Sequence, residues 1–149
     1  MIDFRDFLSL AANLANGTTE AEWRTASSRA YYAAFHVARR LLLDLGSRVP
    51  RAERAHGYLW LRLSNAGHAD VILAGGRLDD LRRHRNQADY DDHLFIAQAT
   101  TDADVRLAEK VIQALDAAAV DPVRTQISDA MRDYERDILQ DVTWQPPPP

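Results

Sequence analysis

The sequence predicts an all-α protein, an antiparallel bundle of four to five helices followed by one further C-terminal helix and a proline-rich tail. Apolar residues recur at spacings of three and four along most of the chain, as on the buried face of a helix. Glycine, proline and short polar stretches separate these segments at helical lengths. The stretch at 94–100, "LFIAQAT", is the one candidate strand, and it is equally compatible with a connector. With 149 residues, the chain has the length of a single domain.

The first two helices begin and end at recognisable signals. A short helix is predicted from Asp3 to Asn16, before Gly17. A long helix follows the stretch "TTEAEW", where Thr18 or Thr19 can cap its first turn, and it ends at Gly46. Two neighbouring apolar stripes run along this helix, so we expect it to lie at the centre of the bundle.

The remaining helices are predicted at 52–65, from 68 to Arg85 or beyond, at 100–119 and at 123–140. The fourth contains two adjacent glycines at 75–76, which cost roughly 2 kcal/mol relative to alanine in a helix interior, so two shorter helices are also compatible with the sequence. The expected organisation is a bundle over 1–119, a C-terminal helix over 120–142 and a flexible tail over 143–149.

Composition excludes several classes of function. The net charge of −4 argues against a general nucleic-acid coat, although a local basic site remains compatible with it. No cysteine is present for a thiol nucleophile or a disulfide, and we expect neither a metal nor a cofactor because no phosphate-binding glycine loop or zinc-type histidine spacing occurs. The chain lacks an apolar run of membrane-spanning length and the basic start of a secretory leader, so a cytoplasmic location is expected, with no membrane association.

Polar residues form a strip on the long helix. Arg29, Tyr32, His36 and Arg40 are three to four residues apart, so they share one face of an otherwise apolar helix. The strip is compatible with a cleft lined by a cation, a phenol and an imidazole. It is also compatible with a solvent-exposed face on which Tyr32 is half buried.

A second polar stretch, "RRHRNQADYDDH" at 82–93, follows the fourth apolar segment. An arginine that holds a phosphate, a neighbouring asparagine, and an imidazole or phenol that transfers a proton would suffice for RNA cleavage without a metal. The alternative is a solvated helix end in which arginine and aspartate form ion pairs of little energetic weight. The residues concerned are Arg82, Arg85, Asn86, Asp89, Tyr90 and His93.

Three motifs together resemble the HEPN domain (higher eukaryotes and prokaryotes nucleotide-binding), over about residues 2–118. They are "SSRAYYAAFHVARRLLLDLG" at 27–46, His56 within "RAHGYLWLRL", and "LDDLRRHRNQADY" ending at Tyr90. The chain is most similar to the small stand-alone prokaryotic branch, with its "RAYYA" helix and "R…ADY" segment. The resemblance implies a four- or five-helix bundle, usually a homodimer with a shared cleft. Many members resemble metal-independent ribonucleases of toxin–antitoxin, phage-defence or CRISPR systems.

The family signature is an arginine, then commonly Asn, Asp or His, and a histidine after four to six intervening residues. Arg85 and Asn86 match its start, but seven residues separate Arg85 from His93, and Tyr90 occupies the earliest position open to the histidine. The resemblance implies catalytic roles for Arg85, Asn86, Tyr90 and His93, with His93 as acid or base. It implies RNA or nucleotide binding by a second set of residues, namely Arg29, Tyr32, His36, Arg82 and Asp89.

Three functions remain open on this resemblance. The first is a metal-independent endoribonuclease. The second is a catalytically silent HEPN dimer that holds a nucleotide, an RNA end or a protein partner. A minimal nucleotidyltransferase is one such partner. In a related branch, this enzyme acts as an antitoxin and adds nucleotides to a tyrosine near the motif, a position that Tyr90 occupies here. The third is a purely structural bundle, in which Arg85 has no functional role.

Overall fold

The computed structural model describes residues 1–145, and it confirms the all-α prediction. The helices in chain order are α1 (Asp6–Ala15), α2 (Glu20–Asp44), α3 (Arg54–Ser64), α4 (Ala69–Tyr90), α5 (Gln98–Ala118) and α6 (Val123–Tyr134), which continues into one π-helical turn at Glu135–Leu139. Extended pairing in this part of the chain is limited to an isolated antiparallel bridge between Ser47 and Trp144. None of these helices has both the length and the apolar character that a membrane span requires.

A reciprocal cap starts α2. Thr19 Oγ1 accepts a hydrogen bond from the Glu22 backbone N–H at 3.2 Å, and the Glu22 carboxylate accepts one from the Thr19 backbone N–H at 3.2 Å. This is a capping box, which satisfies two backbone donors that the first turn would leave unpaired. Because the Thr19 hydroxyl also donates to that carboxylate, the pKa of Glu22 is lowered. Of the two threonines that the sequence offered, Thr19 is therefore the cap.

The fourth helix is not divided at its glycines. α4 runs unbroken from Ala69 to Tyr90, through Gly75 and Gly76. A Cβ atom placed on Gly75 would lie 2.9 Å from the Cβ of Leu63 and 3.1 Å from the backbone nitrogen of Ser64, both in α3. The absence of a side chain at Gly75 thus lets α3 and α4 approach closely, and this packing offsets the helix-propensity cost of glycine.

The two adjacent glycines provide a matched test of that packing. We expect Gly75→Ala to destabilise the fold by about 1–3 kcal/mol, because the added methyl group must displace backbone atoms of α3. We expect Gly76→Ala to stabilise it by about 0.5–1 kcal/mol, because a Cβ there has no neighbour within 4 Å. Urea unfolding of both variants measures the difference. Equal effects of the two substitutions would show that close helix packing does not explain Gly75.

The segment after α4 is held by Arg24 of α2. One guanidinium nitrogen of Arg24, Nη1, donates to the backbone carbonyls of Gln87, Ala88 and Asp91 at 3.3, 3.0 and 2.8 Å, and Nη2 donates to the carbonyl of Leu94. Gln87 and Ala88 lie in the last turn of α4, where a cation is favourable, and Asp91 and Leu94 lie in the segment that follows. The segment 91–97 is thereby a fixed connector, and the candidate strand at 94–100 is not a strand, since Gln98 already begins α5.

The chain forms two compact units. The first unit comprises Met1–Val37 and Arg77–Ile112. Its interior is rich in alanine from α2, which lets helices pack closely, with larger side chains between them. Among these, Tyr31 is 1% exposed, and its burial raises the pKa of the phenol. The first unit contains all the residues that were predicted from the sequence to be catalytic or to bind RNA or a nucleotide.

The second unit comprises Ala38–Gly76 and residues 113–145 of the described chain. Within it, the first residues of the predicted tail are held in place. Trp144 Nε1 donates to the carbonyl of Leu45 at 3.0 Å, and the Arg132 guanidinium lies 3.4 Å from the Trp144 ring centroid. The Thr143 backbone N–H donates to the buried Glu135 carboxylate at 2.9 Å. The rest of the predicted tail, 146–149, lies outside the described residues.

Candidate nucleic-acid interface

Side chains from α2 and α4 meet in the first unit to form one polar and aromatic surface. We call it the arginine–tyrosine cluster, and it consists of Arg29 and Tyr32 from α2 and Arg85, Asn86, Asp89 and Tyr90 from α4. Two residues of the polar strip, Arg29 and Tyr32, and part of the arginine-containing stretch, some 50 residues further along the sequence, therefore belong to one surface. The cluster contains six of the nine residues that were predicted from the sequence to have catalytic or RNA-binding roles.

Arg85 lies at the centre of the cluster. Its guanidinium carbon is 5.1 Å from the Tyr32 ring centroid and 5.7 Å from that of Tyr90, distances at which a cation is attracted to an aromatic ring. Nη1 donates to Asn86 Oδ1 at 2.8 Å. Nε lies 3.0 Å from Asp89 Oδ2, but its N–H is not directed at that oxygen, so the contact is a charge interaction without a hydrogen bond. Arg85 is thus buried and fixed in one orientation.

Asp89 is held from the α2 side. The Ser28 hydroxyl donates to Asp89 Oδ2 at 3.2 Å, so one carboxylate oxygen contacts both Ser28 and Arg85. Ser28 is itself buried. The carboxylate therefore positions the guanidinium relative to α2. The sequence offered no specific signal for Ser28, because it gains its role only when α2 packs against α4.

Arg29 and Tyr32 continue the cluster along α2. The Arg29 guanidinium carbon is 5.0 Å from the Tyr32 ring centroid and 4.9 Å from that of Phe7 in α1. Tyr32 thus has one arginine near it from each helix. Arg29 and Tyr32 are both half buried beside aromatic rings, whereas Arg40, the last residue of the polar strip, is exposed. The charged residues of the cluster are two arginines and one aspartate, so its formal net charge is one positive charge.

His36 and Arg82 lie beside the cluster and have other main partners. The His36 ring stacks on Phe4 with centroids 3.6 Å apart and planes within 9° of parallel. Arg82 binds Asp79 one turn earlier in α4, at 3.1 Å. Phe4 and Phe7 were not identified from the sequence, where their spacing marked them only as apolar residues of the first helix.

His93 does not join the cluster. α4 ends at Tyr90, and His93 lies in the connector that Arg24 holds at the carbonyls of Asp91 and Leu94. The His93 side chain is 96% exposed, with a contact to Asp92 at 3.6 Å. Tyr90, although 75% exposed, remains near Arg85. The structure thus gives no support to His93 as the acid or base beside Arg85.

A cleft of about 660 Å³ lies in the second unit, next to the start of α6. Three arginines and three aspartates line it, so it carries no excess of positive charge for a polyanion. They are Arg48, Arg124, Arg132, Asp44, Asp121 and Asp129. The cluster in the first unit is the better candidate for nucleic-acid recognition because it combines excess positive charge with aromatic rings. Over residues 1–145, no three histidines or acids converge in a way that would bind a metal ion.

These observations define an all-α bundle with a partly buried arginine–tyrosine surface. The HEPN domain family matches residues 5–118, which is 114 of the 149 residues. The chain therefore belongs to the HEPN domain family. The matched region includes the whole arginine–tyrosine cluster and ends where α5 ends, before α6. Comparisons with curated proteins and with solved structures found no significant match.

Proposed function

We propose that this HEPN protein binds RNA through the arginine–tyrosine cluster and cleaves the bound strand without a metal ion, as part of a toxin–antitoxin or phage-defence system. The observation that carries the proposal is the position of Arg85, which is buried and oriented between Tyr32, Asn86 and Asp89 at a surface with positive charge. Arginine is the side chain best suited to planar, two-point recognition of phosphate.

The cluster has the two properties that binding of single-stranded RNA requires. Arg85 and Arg29 offer charge to the phosphates, and because neighbouring side chains already hold Arg85, less conformational entropy is lost on binding. The exposed ring of Tyr90 provides a surface on which an unpaired base can stack, an interaction of about 1–3 kcal/mol per base in other single-strand binders. The homodimer that the family implies would present two such clusters in one assembly.

The chemistry would be transesterification within the RNA. The 2′-oxygen attacks the adjacent phosphorus in line, the bond from phosphorus to the 5′-oxygen breaks, and the products are a 2′,3′-cyclic phosphate and a 5′-hydroxyl. The Arg85 guanidinium would stabilise the negative charge that develops on the phosphoryl oxygens, and Asn86 would keep the guanidinium in place. The reaction consumes no co-reactant.

A catalytically silent binding protein is the second candidate, and the position of His93 favours it. In that case the cluster would hold a nucleotide, an RNA end or a protein partner without cleavage. Tyr90 is exposed enough to accept a nucleotide from a partner nucleotidyltransferase. An unchanged intact mass after co-expression with such an enzyme would count against Tyr90 as an acceptor.

The test is incubation of the purified protein with total cellular RNA and tRNA in EDTA, with the product ends mapped. We expect cleavage with cyclic-phosphate ends. A parallel measurement of the fluorescence anisotropy of a labelled single-stranded RNA reports binding without cleavage. Intact RNA together with tight binding would favour the second candidate, and an absence of both would reject the proposed function.

A further inference from the structure

A second polar network lies beside the arginine–tyrosine cluster and contains a histidine. His84 Nδ1 lies 2.7 Å from Asp104 Oδ1 of α5, and the Ser27 hydroxyl of α2 donates to Asp104 Oδ2 at 2.8 Å. The Asp104 side chain is 3% exposed, whereas that of His84 is 42% exposed. A buried carboxylate thus holds a solvent-accessible imidazole in a set orientation.

This arrangement determines which nitrogen of His84 can exchange protons. A carboxylate that receives a hydrogen bond from Ser27 on one oxygen acts as an acceptor on the other, so the proton of His84 lies on Nδ1. In the neutral imidazole, Nε2 is then the nitrogen with a free lone pair. A histidine oriented by a carboxylate in this way is the arrangement that general base catalysis uses.

The two networks occupy consecutive positions on both helices. Ser27 and His84 belong to the network around Asp104, and Ser28 and Arg85 belong to the network around Asp89. Consecutive Cα atoms are about 3.8 Å apart, and consecutive side chains on a helix diverge by about 100°. An imidazole and a guanidinium therefore leave α4 from adjacent positions in directions about 100° apart, so an RNA strand that contacts both has to cross α4 at this point.

We propose that His84, oriented by Asp104 and Ser27, is the general base of RNA cleavage in this protein and takes the place of the histidine that the family signature puts after the arginine. This inference rests on the proposed function. His84 Nε2 takes the proton of the 2′-hydroxyl as the 2′-oxygen bonds to phosphorus. The bond to the 5′-oxygen breaks, the leaving oxygen takes a proton from water, and the imidazolium returns its proton to solvent.

The test separates cleavage from binding in one set of purified variants. In EDTA, we expect His84→Ala to reduce the rate of single-turnover cleavage by at least about 100-fold, the usual effect of losing a general acid or base. The Kd for a labelled single-stranded RNA should change by less than about threefold, since Arg85 supplies the proposed phosphate contact. Added imidazole should restore part of the rate to His84→Ala, which a merely structural role of His84 would not allow.

Two further variants complete the design. Asp104→Asn should lower the cleavage rate with little change in Kd, because the amide no longer selects the tautomer with Nε2 free; imidazole should not rescue it. His93→Ala is the contrasting substitution, since it removes the other imidazole of the same segment. Loss of cleavage in His93→Ala but not in His84→Ala would overturn the inference.

The outcomes also distinguish failure of this inference from failure of the proposed function. Wild-type protein that binds RNA through Arg85 and never cleaves it overturns the role of His84 and leaves RNA binding intact. Wild-type protein that neither binds nor cleaves RNA rejects both. Cleavage that persists in His84→Ala rejects only the role of His84.

Discussion

Replacement of Arg85 by alanine should weaken RNA binding by roughly 10- to 100-fold in Kd, the equivalent of about 1.5–3 kcal/mol for charge-assisted hydrogen bonds to a phosphate. Arg85→Lys should recover little of this loss, because a lysine ammonium group lacks the planar donor pair of a guanidinium. Both effects would be measured by fluorescence anisotropy of a labelled single-stranded RNA at one stated salt concentration, because phosphate contacts depend strongly on salt.

Arg40→Ala is the matched control for Arg85→Ala. It makes the same change in charge on an exposed residue of α2, where Arg40 forms an ion pair with Asp44 at 2.9 Å. We expect a change in Kd of less than about twofold, since a solvent-exposed charge outside the cluster acts on the RNA mainly through screened long-range attraction. If the two variants bind RNA equally well, the interface lies elsewhere and the assignment of the cluster is wrong.

Replacement of Arg62 by alanine should destabilise the protein by about 3–5 kcal/mol, the cost of leaving one member of a buried ion pair without its partner. Arg62 Nε lies 3.8 Å from Glu135 Oε1, and the two side chains are 6% and 3% exposed. The Arg62 guanidinium also covers the Tyr58 ring, 3.5 Å from its centroid. The substitution therefore leaves the Glu135 carboxylate with Thr143 as its remaining partner among the hydrogen bonds of the described residues.

Urea unfolding monitored by circular dichroism measures this effect. Arg136→Ala is the matched control, because Arg136 is exposed and pairs with Asp133 and Asp137 at 2.9 Å. Its removal should leave the unfolding midpoint nearly unchanged, as is usual for surface ion pairs. The double variant Arg62→Met with Glu135→Leu should lose less stability than Arg62→Ala, since no buried charge remains. Equal destabilisation by Arg62→Ala and Arg136→Ala would contradict this account.

The helices themselves follow from local chemistry and were predictable from the sequence. The apolar spacing along α2, a threonine cap at Thr18 or Thr19, and the stop at Gly46 are properties of short segments, so they were visible without tertiary information. The structure identified Thr19, paired with Glu22, as the cap. The HEPN family was also recognisable, because its motifs are local in sequence and keep their order. Arg85 and Asn86 were identified in the same way.

The tertiary structure decided three points that local patterns left open. α4 stays unbroken because Gly75 packs against Leu63 of α3. His93 is exposed, in a connector whose backbone carbonyls are bound by Arg24 from a different helix. His84 has its partner Asp104 twenty residues further along the chain, on α5.

The physical reason for this division is the range of the interactions concerned. Helix propensity, capping and apolar periodicity act between residues a few positions apart, so the sequence by itself determined the helices and the family. Close packing at a glycine, the pairing of a buried carboxylate and the direction of a connector depend on atoms that folding brings together from distant positions. Only the tertiary structure could therefore decide that Tyr32 and Arg85 share one surface, and that His84 pairs with Asp104.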